Sequence, residues 1–309
     1  MIENLFSFGD SLLFFCSFLS VVYLFVFAVA SMCSRTNRYP EAKNQHRYVL
    51  LAPFGTTLSA QQYSEELYRI QCYDNLSEAI QTLDETKHDM VIVLGEGSRI
   101  SPFLLQEVNN AYDAGITALQ LHSVIDPITT RQFHLQAINE EISNAVFQQG
   151  HTQLGLSSAF IGMDIALDLK WIKKNLKSEK SNLERKLLRQ NIFIDYLNEP
   201  PVYSPIAHPS THTIKRRKAL YDLPEAFFSG HWDYVGKLVQ QLIPSWTVLL
   251  PIIALVAVVA TYYEGLLSVK WWILLFGLLF TLSLAIPDYL VTEKKKKKFK
   301  IIKRWTLPR

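Results

Sequence analysis

Between residues 48 and 197, short apolar runs alternate with polar, helix-patterned segments, and outside that interval lie three long apolar stretches. The sharpest short run is HDMVIVLGEGSRI at 88–100, where apolar and β-branched side chains lead into an abrupt Gly-Glu-Gly turn. A run of this kind, bounded by breakers, predicts a buried strand. Ligands of open α/β sheets bind just beyond the carboxyl ends of the strands, so a site is expected at the turn 95–97. The side chain that offers chemistry there is Glu96.

The flanking pattern extends this reading. YVLLAP at 48–53 and ELYRIQCYD at 66–74 each predict a strand. Asn75, with Glu78 three residues on, predicts a capped helix whose apolar face is Leu76, Ala79, Ile80 and Leu83. Ser101-Pro102 opens another helix, with Phe103, Leu104, Val108 and Ala111 on one face and Gly115 at its end. Residues 118–121 predict a strand, and 128–149 a helix stopped by Gly150. Residues 154–167 read as a strand, a turn at Gly162 and a helix start. Residues 170–190 read as mostly charged helix, 192–197 as a last strand and 198–209 as a proline-rich loop. Strands and helices in this alternation predict a mostly parallel α/β sheet.

The long apolar stretches are 12–32, 246–263 and 271–291, each long enough to cross a bilayer, which takes about 20 residues. Arg35, Arg38, Lys43 and Arg47 follow the first, and the lysine run 294–298 follows the last. By the positive-inside rule the N-terminus lies outside, and the α/β domain and C-terminus lie in the cytoplasm. Residues 223–243 alternate aromatic, Leu and Val positions with Lys237, Gln240 and Gln241, which predicts an amphipathic helix at the membrane surface. The expected organisation is an anchor (1–34), an α/β domain (35–222), an interfacial helix (223–244), two spans (245–292) and a basic tail (293–309).

Composition narrows the choice. A hydrophobic content of 49% suits a membrane protein, and a net charge of +3 does not imply nucleic acid. Cys16, Cys33 and Cys72 are too scattered for a disulfide framework or a zinc site. His208 and His212 stand four apart in a loop that carries Pro205 and Pro209, which argues against a shared helical face. Ser157 and Ser158 have no nucleophile-elbow context, so a hydrolase is not expected. The basic patch 215–218, with Arg216 and Arg217, is expected to meet lipid headgroups.

The order of a span, an α/β domain, an interfacial helix and a closing pair of spans resembles the membrane-bound family 2 glycosyltransferases, the cellulose and hyaluronan synthase-type enzymes. Residues 89–98 resemble that family's strand ending in Asp-x-Asp, and 103–119 the helix and strand after it. LGLSSAFIG at 154–162 resembles the acceptor-side Gly-x-Gly region. SEKSNLERKLL at 178–188 resembles the helix opened by Thr-Glu-Asp, and SGHWDYV at 229–235 the segment after Gln-x-x-Arg-Trp. The resemblance implies a Rossmann-like, nucleotide-diphospho-sugar transferase sheet domain, here shortened at the front. In such enzymes the Asp-x-Asp carboxylates hold a divalent metal against the diphosphate, and a carboxylate opposite takes the acceptor proton.

The residues that would do this chemistry have changed. Gly95-Glu96-Gly97 replaces Asp-x-Asp, and Glu179-Lys180 replaces the Glu-Asp base pair. The patch 215–218 followed by Ala219-Leu220 replaces Gln-x-x-Arg-Trp, leaving Arg216 and Arg217, with Asp74, as candidate substrate contacts, and Asp164 stands for the second acceptor-region glycine. Asp74 occupies the place of an early uridine-contacting aspartate, or is a strand-end turn residue. Two readings follow. One is a protein without catalysis and without a cofactor, a structural or regulatory subunit beside other proteins of the bacterial inner membrane and its lipid. The other is an active transferase with a nucleotide or lipid-phosphate donor, using Glu96, Glu179 or Asp74, with Mg²⁺ or Mn²⁺ as its metal.

Overall fold

The computed structural model describes residues 2–33, 39–53, 56, 62–126, 130–160, 163–176, 182–205, 216–263, 265–287 and 290. The chain opens with helix α1 (Ile2–Met32) and then builds β1 (Tyr48–Pro53), β2 (Tyr68–Tyr73), α2 (Leu76–Thr82), β3 (Met90–Val93), β4 (Arg99–Ile100), α3 (Leu104–Asp113) and β5 (Ala118–Ile125). Next come α4 (Arg131–Asn144), a π-helical turn (Ala145–Gln149), α5 (Gly150–Gln153), β6 (Ile165–Asp168), α6 (Leu169–Asn175), α7 (Leu183–Arg189) and β7 (Asp195–Ser204). The chain closes with α8 (Arg216–Phe228), α9 (Trp232–Leu242), α10 (Trp246–Tyr263) and α11 (Gly265–Ala285).

The seven strands form one mixed sheet in the order β2-β1-β3-β6-β5-β7-β4. Side chains alternate between its faces. Val49, Leu51, Val91, Val93, Ile165 and Leu167 point into one core with α2, α6, α7 and α9. Tyr48, Leu50, Met90, Ile92, Leu119 and Ala166 point into the other, under α3. β1 and β3 are buried on both sides, as strands sandwiched between helices must be. Asn75 caps α2 as its sequence predicts, its Oδ1 accepting from the Ser77 and Glu78 amides at 3.0 and 3.3 Å.

The sheet is less parallel than expected. β6 runs antiparallel to both β3 and β5, and β4 antiparallel to β7. The cause is the route after β5. Instead of returning to the start of the sheet, α4, the π turn and α5 pack on the long apolar helices, with Ile142 and Val146 in a core shared with Val21, Phe27 and Leu278. The chain therefore re-enters the sheet from its carboxyl edge, and β6 points backwards.

Several boundaries move for local reasons. The helix expected to stop at Gly150 continues to Gln153, because Gly150 is where the helix meets α1 and not a terminator. The strand expected from residue 154 begins only at Ile165, and Gly162 lies outside the described residues. β7 continues to Ser204 through what reads as a proline-rich loop, paired to β5 by Ser123, Val124 and Ile125. The single amphipathic helix at 223–243 is two helices, broken where Gly230 takes φ +74°.

Among the described residues, three helices are long and apolar enough to cross a membrane: Phe8–Met32, Trp246–Tyr263 and Ser268–Ala285. The last helix ends earlier than 291, since Pro287 disfavours helical backbone in the residue before it.

Candidate functional site

The carboxyl edge of the sheet brings the ends of β1, β2 and β3 beside the start of antiparallel β6, so the turn 95–97 faces Asp164. Asp164 is fully buried and holds φ +62°, a left-handed backbone that Asp tolerates better than most residues. Its Oδ1 accepts from the Gly95 amide at 3.0 Å and from Ser98 Oγ at 3.4 Å. Its carbonyl accepts from the Leu121 amide at 2.9 Å and from Gln120 Nε2 at 3.1 Å. The buried Asp164 carboxylate therefore ties down the turn 95–97.

Among the described residues, the predicted site residues Glu96 and Asp74 lie apart. Glu96 is exposed at the turn's tip. Asp74 is exposed beyond β2, with β1 lying between it and β3, so the two are at least about 10 Å apart at ordinary strand spacing. Glu179 and Lys180 lie outside the described residues, as do Lys215, His208 and His212. Arg216 and Arg217 open α8, and their side chains too lie outside the described part of the chain.

A divalent metal does not fit this turn. Gly97 has φ +68°, and a Cβ there would stand 2.8 Å from Pro205 Cγ. Pro205 thus occupies the space that a side chain at 97 would need. Among the described residues no group of three His, Cys, Asp or Glu side chains could hold a metal ion.

A larger site lies past the same edge. β5 and β7 run on as a ribbon, and between it and the ends of α1 and α11 is a cavity of about 800 Å³. The ribbon contributes His122, Tyr196 and Asn198, α4 contributes Glu141 and Asn144, and Met32 closes the α1 side. His122 meets the Asn198 carbonyl through Nδ1 at 2.9 Å and Glu141 Oε1 through Nε2 at 3.0 Å. The Asn198 carbonyl accepts from Nδ1, and an ionised Glu141 carboxylate favours the protonated ring. Burial by itself would lower the His122 pKa, but the bond to Glu141, its charge and the Asn198 carbonyl outweigh this and hold it above the ordinary histidine value. Next to Glu141, burial pushes the Glu140 carboxyl up to about 8, with the charges of Glu141 and Asp164 adding to the shift and His122 opposing it.

The π turn sits directly behind this wall, and such bulges gather at functional sites. Gln148 Nε2 donates to Asn144 Oδ1 at 2.6 Å, and Asn144 Nδ2 reaches the Ser123 carbonyl at 3.4 Å. The pattern of apolar positions gives no weight to His122, Glu140 or Glu141. A usable signal does exist: Gln120 and His122 interrupt a strand whose other inward positions are apolar, and adjacent glutamates sit in a helix packed on apolar spans.

No protein-family profile matches the chain, and no curated protein matches it. Among solved structures it is similar to the mannosyltransferase PcManGT from Pyrobaculum calidifontis, in complex with GDP-Man and Mn²⁺. The identity is 9%, the match covers 90% of this chain and 96% of that one, and the TM-score is 0.47.

Proposed function

We propose that this chain is a membrane-anchored, glycosyltransferase-like protein that carries out no metal-assisted sugar transfer. In this reading it is a structural or regulatory subunit beside active machinery for a surface polysaccharide or glycolipid. The contact between Pro205 and Gly97 carries the proposal. Losing a carboxylate leaves a gap that a neighbouring ligand can fill, whereas here a proline ring stands in the gap and a buried aspartate ties the turn shut. Hard cations need several converging oxygen ligands, and the exposed Glu96 is one.

The three apolar helices anchor it, with the α/β domain on the side marked by the basic flanks. Exposed Leu220, Tyr221, Phe227, Phe228 and Trp232 on α8 and α9, next to the patch 215–218, support contact of that region with the bilayer surface.

Two measurements test the proposal. Purified protein in detergent is titrated with uridine and guanosine diphosphosugars, with and without Mg²⁺ or Mn²⁺. Neither metal-dependent binding nor turnover is expected, and turnover lost in Glu96→Gln would overturn the reading. Affinity purification from a detergent extract is expected to bring down other membrane proteins, and recovery as a lone monomer counts against a subunit role.

A further inference from the structure

We propose that the cavity between the β5–β7 ribbon and the ends of α1 and α11 binds the uncharged sugar headgroup of a glycolipid whose chains lie in the bilayer. The inference rests on the proposed reading only in placing the apolar helices in a membrane. It requires neither catalysis nor its absence.

The volume is that of a small-molecule site, and the walls choose the ligand. Three carboxylates line the cavity, from Glu107, Glu141 and Glu199, and no Lys or Arg does so among the described residues. The one cationic wall group, His122, is already paired with Glu141. Among the described residues, a phosphate headgroup would meet Glu107 and Glu199 with no lining Lys or Arg to offset them, and like charges at contact distance repel. Sugar hydroxyls are suited to this wall, because they donate to carboxylates and amide carbonyls. Tyr39, Tyr196, Tyr203 and Phe103 add the flat apolar surfaces on which sugar rings rest.

The polar wall a hydroxyl-rich ligand can engage includes Glu141, Asn144 and Asn198. On the other side the lining is apolar, from Met32, Leu284, Ala285 and Pro287 at the ends of two membrane-length helices. A polar wall facing a lipid-level apolar wall matches an amphiphile lying with its head on the ribbon and its chains along α1 and α11.

The test uses the full chain in phosphatidylcholine nanodiscs doped with equal amounts of diglucosyl-diacylglycerol and phosphatidylglycerol, read by native mass spectrometry of retained lipid. The glycolipid is expected to be retained at least tenfold over phosphatidylglycerol. The rim variants Glu107→Lys and Glu199→Lys, whose side chains lie outside both hydrophobic cores, are expected to erase that preference while leaving the melting temperature unchanged. Equal retention, preference for phosphatidylglycerol, no retention by folded protein, or a preference untouched by both variants would each overturn the inference. Parallel incubation with sugar nucleotides separates the two proposals: turnover of the bound lipid defeats the non-catalytic reading and leaves the binding site standing.

Discussion

Gly150 of α5 packs against the backbone of Phe27 in α1. A Cβ at 150 would lie 3.0 Å from the Phe27 carbonyl carbon, closer still to its oxygen, and 3.1 Å from the Ala145 oxygen. Beside it the His151 ring stacks on Phe27 with centroids 3.9 Å apart and accepts from Tyr23 Oη at 2.8 Å through Nε2, while Nδ1 donates to the Val146 carbonyl at 2.9 Å. The α/β domain and the first apolar helix are thus joined by backbone approach and ring stacking, with little room for adjustment.

Gly150→Ala should therefore loosen this junction. The backbone on both sides cannot give way as a side chain would, so a loss of about 1–3 kcal/mol, the usual overpacking cost, is expected. Thermal unfolding in detergent checks it. Gly277→Ala, in α11 with open space around it, is the control and should not lower the melting temperature.

Adding acids to the turn 95–97 should not create a metal site. Gly97→Asp meets Pro205 and adopts a left-handed backbone that costs an L-residue about 1–2 kcal/mol. The double variant Gly95→Asp/Gly97→Asp is expected to melt lower and to show no Mn²⁺ binding by calorimetry. Micromolar Mn²⁺ affinity in that variant would mean the turn is still open.

Lys237 and Glu184 form an ion pair at 3.2 Å, the two side chains 1% and 0% exposed. Burial holds the Lys237 pKa below the ordinary lysine value in spite of Glu184. Glu184 also accepts from the Phe160 amide at 3.1 Å, fixing the segment before β6. Removing Lys237 alone leaves a buried carboxylate uncompensated, so Lys237→Met should cost about 3–5 kcal/mol. Adding Glu184→Gln, which keeps an acceptor for Phe160, should recover most of that loss in denaturant unfolding.

Two groups near the helix junction give opposite pH dependence. Glu140 has its folded pKa raised to about 8, so the folded state holds a proton that the unfolded chain has released, and stability falls as pH rises from about 4.5 to 8. Burial, together with the charge of Lys237, pushes His151 down to about 3, so the unfolded chain takes up a proton first and stability falls as pH drops from about 6.5 to 3. Glu140→Gln should raise the melting temperature at pH 9 and not at pH 4. His151→Asn should flatten the acid side of the profile and leave the alkaline side unchanged. A Glu140→Gln curve parallel to the parent at all pH values would show that this carboxyl titrates normally.

Local pattern was enough for the elements that depend on near neighbours. The strand at Met90–Val93, the Asn75 cap and the three apolar helices follow from breakers, capping geometry and span length, which act over a few residues and can be read along the chain. The turn at 95–97 could be located, and Glu96 as its single carboxylate was visible there. Its closure was not, because Pro205 reaches Gly97 from more than a hundred residues away. The backward run of β6, the place of Gly150 and the His122–Glu141 pair likewise arise from α4 choosing the apolar helices over the far side of the sheet. A hydrophobic pattern specifies that a face is buried and leaves open against what. That choice depends on burial summed over distant segments, so the three-dimensional packing decided where the cavity and its acids lie.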